Sequence, residues 1–275
     1  MKLISTLILI ALSILVGYSQ TNQLKADSYS KSKPTKTFSI KSDYAGNREY
    51  IMHVTYAIDS LIPGKKYPVL YYTDAWLNVD FFNQAGDWLT YYNEIEPVIL
   101  VGISFMATEN AWIELRKEDF LPPHSDTTKV SRSKNFLNFI RKELIPYVEE
   151  YYPADPSDRG LFGSSFGGSF ATWVLKEDPK LFKRIGISSP SLWYDDFKLL
   201  KDPKLLENIS SLDNHKIFVQ YGSSESEKQK SGAESLFELL NTNKNIQLKK
   251  FILDGGHYSA YPETIIKALT YLYAR

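Results

Sequence analysis

The stretch Arg159-Gly-Leu-Phe-Gly-Ser-Ser-Phe-Gly-Gly-Ser-Phe-Ala171 decides the fold. Within it, Gly163-Ser164-Ser165-Phe166-Gly167 matches G-x-S-x-G and puts Ser165 in the nucleophile position. That pattern belongs to a sharp strand-to-helix turn. Glycines two before and two after the serine let the backbone close tightly and hold the hydroxyl out of the fold. Frames centred on Ser164 or Ser169 fail, because Phe162 and Phe166, or Ala171, would fill the glycine places. The flanks agree with the turn. Asp158 to Phe162 reads as a short buried strand. Ser169 to Lys176 reads as a helix, with Phe170, Trp173 and Val174 at helical spacing and a stop at Asp178-Pro179.

The chain around this motif has 275 residues, 43% of them hydrophobic and 23% charged, which suits one globular domain. Its 32 basic and 32 acidic residues cancel, so no electrostatic platform for nucleic acid or an anionic membrane is expected. There is no cysteine, which excludes disulfides, thiolate metal sites, a lipid-anchored cysteine and a cysteine nucleophile. No His/Asp/Glu cluster has ligand spacing, so neither a metal nor another cofactor is expected. Met1-Lys2 followed by the apolar run Leu3 to Val16 and the small residues near Ser19 reads as a secretory signal peptide over 1–20. A polar leader follows over 21–36, and the catalytic domain over 37–275. That predicts a periplasmic or secreted protein with no stable membrane anchor after cleavage.

Alternating runs over Thr37 to Tyr44 and Arg48 to Ile58, joined by Ala45-Gly46-Asn47, predict a hairpin. Tyr67 to Thr73 and Pro97 to Ser104 are near-continuous apolar runs, as strands buried on both faces should be. Asp80 to Tyr92 predicts a helix, and Met106 to Val130, with no clear period, a loop over the cleft. Lys134 to Tyr151 predicts a helix kinked at Pro146. Further on, strands at Arg184 to Ser188, Lys216 to Tyr221 and Ile246 to Leu253 alternate with helical stripes. One stripe runs from Asp195 to Ile209 with a break near Pro203. The others are Ala233, Leu236, Phe237, Leu240 and Ile265, Ala268, Leu269, Leu272. The alternation argues for an α/β fold: a mostly parallel sheet with an antiparallel N-terminal edge and helices on both faces. Ligands then bind at the carboxyl ends of the strands, where Ser165 falls.

A serine hydroxyl needs a base, and the base an orienting acid, in chain order Ser, acid, His. Of the four histidines, His257 follows the last strand in Leu253-Asp-Gly-Gly-His257, where a tight turn could return it to Ser165. His53 falls inside an N-terminal strand, His124 in the presumed lid loop, and His215 at the wrong end of its strand. The acid should lie in Gly222-Ser-Ser-Glu-Ser-Glu227: Glu225 is the first choice and Glu227 the second, and either could be a solvated loop charge or a helix cap. Asp254 reads as a turn residue. The oxyanion hole needs two amides. Position points to Phe166, after the nucleophile, and to Trp76, with Ala75 as neighbour, after the strand ending at Thr73.

Several further stretches carry a family likeness: Tyr67-Pro-Val-Leu-Tyr-Tyr-Thr-Asp74, Arg116-Lys-Glu-Asp-Phe-Leu-Pro122, Phe139-Ile-Arg-Lys-Glu-Leu-Ile-Pro146, Ser188-Ser-Pro-Ser-Leu-Trp193 and Gly255-Gly-His257. With the serine motif, they make residues 37–275 resemble the putative-esterase (esterase D-like) branch of the α/β-hydrolases, most of all the bacterial siderophore esterases of the enterobactin-hydrolase kind. The resemblance implies an α/β-hydrolase fold, with Ser165 and His257 as nucleophile and base. It further implies Arg116 at the mouth of the site, able to hold an anionic or catecholate substrate, and Trp193 as an aromatic beside the cleft. Ion pairing with Glu118 or Asp119 is the alternative for Arg116, and core packing for Trp193. The family usually has Asp-Gly where this chain has Asp74-Ala75, so the oxyanion loop is expected to differ there.

The reading is therefore an extracytoplasmic serine esterase acting on a small-molecule or carbohydrate ester, either a siderophore ester or lactone or a feruloyl or acetyl ester of plant polysaccharide. A catalytically inactive binding protein on the same scaffold is the competing class.

Overall fold

The computed structural model describes residues 33–58 and 61–275, so the expected signal peptide and all but the end of the leader lie outside the described residues. The chain from Thr35 to Arg275 is a single compact unit. Among the described residues, no helix is long and apolar enough to cross a membrane.

The hairpin forms as β1 (Lys36–Lys41) and β2 (Glu49–Ala57), with Asn47 at φ 62° in the turn. β3 (Tyr67–Thr73) leads into α1 (Ala75–Tyr91) and β4 (Val98–Phe105) into α2 (Glu109–Phe120). A helical run follows as α3 (Ser133–Phe139), a π turn (Ile140–Leu144) and α4 (Ile145–Tyr151). β5 (Ala154–Ser164) carries the chain into α5 (Phe166–Glu177), and then come β6 (Arg184–Ser188), a 3₁₀ turn (Lys198–Lys201) and α6 (Pro203–Ser211). β7 (Lys216–Gly222), α7 (Glu227–Asn241), β8 (Gln247–Leu253) and α8 (Tyr261–Leu272) complete the order.

The eight strands form one sheet in the order β1-β2-β4-β3-β5-β6-β7-β8. β2 pairs antiparallel with β1 and β4, and every pair from β4 onward is parallel. β3 and β4 are buried along their whole length, because a parallel sheet is covered on both faces. The cover divides by strand parity. Leu70 and Tyr72 pack with Phe82 of α1 and with Ile265 and Leu269 of α8. Val69 and Tyr71 belong to the larger cluster, with Phe120, Phe136, Phe170, Leu205 and Leu236 from α2, α3, α5, α6 and α7. This is the α/β-hydrolase architecture expected from the sequence.

Several local features differ from the sequence expectation, among them the start of α5 at Phe166 rather than Ser169 and a left-handed turn over Asp195 to Phe197 where a helix is expected. Residues 109–120, inside the stretch expected to be a loop, form α2. Its period is hidden because its buried positions include Arg116 and Asp119 as well as Phe120, and these charges are partnered from elsewhere in the fold: Asp119 by Arg48 and Tyr50, Arg116 by Asp74. Helix α1 starts at Ala75 rather than near Asp80, because Asp74 takes the left-handed conformation (φ 61°, ψ 33°) and turns the chain directly off β3. The kink expected at Pro146 is taken up as a π turn ahead of it. Proline has no amide hydrogen and its ring crowds the carbonyl four residues back, so the widened turn relieves both problems.

Candidate active site

Ser165 stands between β5 and α5 at φ 59°, ψ −117°, a strained conformation for a residue with a Cβ. Its peptide group is held on both sides. The amide donates to the Ser188 carbonyl (3.0 Å), and the carbonyl accepts from the amides of Ser169 and Ser191 (3.1 Å each). The glycines are steric requirements. A Cβ on Gly163 would lie 2.0 Å from the Gly167 carbonyl oxygen, and one on Gly167 would lie 2.2 Å from Thr73 Oγ1. The Ser165 hydroxyl has Ser191 Oγ 3.4 Å away.

The loops after β7 and β8 are tied to each other. Ser223 donates its amide to Leu253 O (2.8 Å) and Ser224 to Gly255 O (2.9 Å), while Gly255 turns at φ 113°. This brings His257 Nδ1 to 3.0 Å from Glu225 Oε2. The other carboxylate oxygen accepts from Ser189 Oγ (2.5 Å) and the Gly222 amide (2.8 Å). Burial pushes the Glu225 carboxyl up, but the hydrogen bonds from His257, Ser189 and Gly222 outweigh it, so its pKa lies below the ordinary value of 4.5. It is ionised at neutral pH and accepts from His257 Nδ1–H. That leaves Nε2 as the proton acceptor. Glu227 is instead the first residue of α7, solvent-exposed and paired with Lys230. Asp254 accepts from Ser223 Oγ (3.3 Å).

β3 and β5 are neighbours, so the helices that follow them start side by side. Phe166 opens α5, and Ala75 and Trp76 open α1. The first amides of a helix have no intrahelical acceptor and sit at its positive dipole end. Two such ends beside one serine can receive negative charge developing on a carbonyl oxygen. The positive φ that a glycine at position 75 would have supplied falls on Asp74. Ala75 is already helical and needs none.

Asp74 is also where Arg116 goes. Nε and Nη2 donate to its two carboxylate oxygens at 2.6 and 2.8 Å, a bidentate pair in which both side chains are buried. The guanidinium lies 4.6 Å from the Trp112 ring centroid and 5.2 Å from that of Phe166. The near neighbours Glu118 and Asp119 both pair with Arg48. Arg116 lines the cavity at Ser165, but with its charge already matched.

That cavity holds about 280 Å³. Ser164, Ser165, His257, Asp74, Asn78 and Arg116 form its polar side, and Leu77, Phe81, Trp112, Ile113, Tyr258 and Tyr261 are prominent in the rest. Trp193 does not line it. Its Nε1 donates to Gln229 Oε1 (2.7 Å), and Gln229 Nε2 donates to the Ser189 carbonyl, so this indole braces the loop that holds Glu225. Trp76 is half exposed and packs its ring 5.1 Å from that of Trp112. The remaining histidines are elsewhere. His53 is in β2 beside Thr37, and His124 is 3.3 Å from Asp195. His215 lies between the carbonyls of Asp213 and Pro179.

Three contributors were not assigned from sequence. Ser189 orients Glu225. Tyr261 lines the cavity, its hydroxyl held protonated because burial, and then the Asp74 charge, push its pKa far above the ordinary value. Asp74 fixes Arg116. Ser189 and Asp74 lie inside stretches that carry the family likeness, but a partner 36 or 42 residues away leaves no local spacing to read.

Among known proteins, the family model described as "Putative esterase" matches residues 47–269. The ferri-bacillibactin esterase BesA of Bacillus subtilis is 25% identical over 76% of this chain and 80% of its own length. The apo-salmochelin esterase of Escherichia coli is 23% identical over 73% of this chain and 65% of its own. The crystal structure of the BES protein from Bacillus cereus superposes with a TM-score of 0.79 at 25% identity, covering 88% of this chain and 96% of that one.

Proposed function

The chain belongs to the putative-esterase family, and from that premise we propose that this ester hydrolase works through Ser165, His257 and Glu225. His257 Nε2 takes the Ser165 proton as Oγ attacks the ester carbonyl. The oxyanion is received by the Phe166 amide and by that of Trp76, with Ala75 beside it. His257 then protonates the departing alcohol, and water releases the acyl group by the same route in reverse. Glu225 holds the imidazole by Nδ1 and stabilises the imidazolium. The observation that carries this reading is the 3.0 Å contact between His257 Nδ1 and a carboxylate that three donors keep ionised, with His257 facing the same cavity as Ser165.

Relatives named as siderophore esterases make a siderophore ester or lactone the first natural substrate to try. Feruloyl and acetyl esters of polysaccharide are the comparison set. The apolar run at the N-terminus supports action outside the cytoplasm. A fluorophosphonate probe tests the reading: one adduct is expected, on the peptide carrying Ser165. No adduct on the folded protein would favour a binding protein on a hydrolase scaffold.

Glu225→Gln is expected to lower kcat about a hundredfold or more with little change in KM, since the lost charge matters most when the imidazolium forms. Its stability effect has a defined sign. The folded pKa of Glu225 is depressed, so its contribution is complete above the ordinary value of 4.5 and is lost as pH falls through the lower folded value. Melting curves of parent and variant should therefore differ at pH 7 and converge as the pH falls below 4.5 and through the lower folded value. A constant difference from pH 3 to 8 would contradict this account of the carboxylate.

A further inference from the structure

Beyond the reaction cavity, the face of α1 is unusually apolar for solvent-facing helix. Leu77, Phe81 and Trp88 share one stripe at helical spacing and are 47%, 46% and 66% exposed. Ile266 of α8 faces solvent nearby at 45%. Between the two helices lies a second hollow of about 300 Å³. Phe81, Ala85, Trp88, Leu89, Pro262 and Ile266 line it, and Gln84 is its polar member among the described residues. Phe81 and Pro262 line this hollow and the reaction cavity alike. The two spaces adjoin at these shared residues and make a candidate trough along the α1–α8 crevice, with Ser165 lining one and Trp88 the other.

We infer that this trough is a substrate subsite for an elongated, uncharged apolar limb of the ester, either its acyl chain or its alcohol chain. The inference rests on the ester-hydrolase reading above. Three observations choose this occupant. First, the second hollow has no charged lining residue among the described residues, and the charges of the first, Asp74 and Arg116, are spent on each other. A catecholate or phosphate would find no free cation there among the described residues. Second, the hollow adjoins the cavity that Ser165 lines, sharing Phe81 and Pro262 with it, so a limb lying along both would stay attached to a carbonyl at Ser165. Third, a protein docked on this stripe would cover Leu77 and Phe81, which line the reaction cavity, and so obstruct its mouth. From Leu77 to Trp88 is about 16 Å at ~1.5 Å per residue, the length of an extended chain of roughly a dozen carbons.

The test uses two series of monomeric substrates below their aggregation limits: p-nitrophenyl alkanoates, which lengthen the acyl limb, and n-alkyl acetates, which lengthen the alcohol limb. Full burial of a methylene is a factor of about four, and a trough open on one side should give about twofold per carbon. In one of the two series, kcat/KM should rise about twofold per carbon and level off near twelve carbons. Trp88→Glu, which puts a charge at the far end on an exposed position, should remove the gain beyond about six carbons and leave p-nitrophenyl acetate unchanged. Flat profiles in both series, with acetate turnover still dependent on Ser165, would overturn the trough and leave the esterase standing. So would flat profiles accompanied by Trp88-dependent binding to phosphatidylcholine vesicles, which would give the face to a membrane surface. No Ser165-dependent turnover of any ester would instead overturn the reading on which the trough rests.

Discussion

Ser165→Ala is expected to reduce kcat for p-nitrophenyl acetate by about 10⁴-fold or more while leaving the melting temperature nearly unchanged. The chemical loss is large because neighbouring hydroxyls are poor replacements. Ser191 Oγ is 3.4 Å from Ser165 Oγ, but it hangs from the loop beyond β6 rather than from the turn between β5 and α5. Ser164 reaches the cavity, yet its hydroxyl is directed to Ser188 Oγ at 3.4 Å. What survives is the pair of helix ends, which can still polarise a carbonyl and leave a residual rate above water. The fold should be indifferent. Serine and alanine both carry a Cβ at φ 59°, so the backbone strain is the same in each. A variant that turned over esters at the parent rate would remove Ser165 from the chemistry altogether.

The second large effect is expected at the Asp74–Arg116 pair. Either Arg116→Met or Asp74→Asn breaks a bidentate contact between buried groups, and breaking such a pair from one side typically costs about 3–5 kcal/mol. For a domain of this size that is a fall of roughly 6–20 °C in melting temperature. Activity should fall with it, because Asp74 is the residue at which β3 turns into the amides of Ala75 and Trp76. Arg116 also lies against the ring of Phe166, the residue expected to give the other oxyanion donor. The double variant should lose much less than the sum of the single losses. Neutral and anionic esters should lose kcat alike, since the arginine's charge is matched within the protein. A rise in KM confined to anionic esters would instead make Arg116 a substrate anchor, the role its family likeness implies.

Those two residues also show where sequence reading reaches its limit. The elbow was legible because a steric rule on glycine spacing leaves a mark within five residues. His257 was legible because only four histidines exist and strand order puts one at the right sheet end. Strands β3 and β4 were legible because burial on both faces demands unbroken apolar runs. Helix α2 was not, since its buried side carries Arg116 and Asp119, and a periodicity count takes a buried charge for a solvent position. Proximity in sequence offers Glu118 and Asp119 as partners for Arg116. The fold gives those two to Arg48 and supplies Asp74 instead, a consequence of β3 lying beside β4 that no local pattern encodes. Glu225 and Glu227 were separable only once the turn between β7 and α7 had formed. One faces Gly222, Ser189 and His257, and the other faces water.

The glycine clearances at the elbow also bear on descent. Gly163 and Gly167 are held by collisions with the Gly167 carbonyl and Thr73, not by anything the serine does. A descendant of this chain that ceased to hydrolyse esters would still be obliged to keep them, so the G-x-S-x-G signature outlives the activity that made it familiar. The Glu225–His257 contact is under a different obligation. A carboxylate held 2% exposed is costly unless its donors are all kept, and the donor on the cavity side is an imidazole. Once catalysis is no longer selected, replacing the carboxylate together with its imidazole partner removes that cost, so the pair can be lost where the glycines cannot. On the proposed triad, the carboxylate–imidazole pair is the better record of a working enzyme across diverging copies of this fold, and the elbow is a record of its architecture.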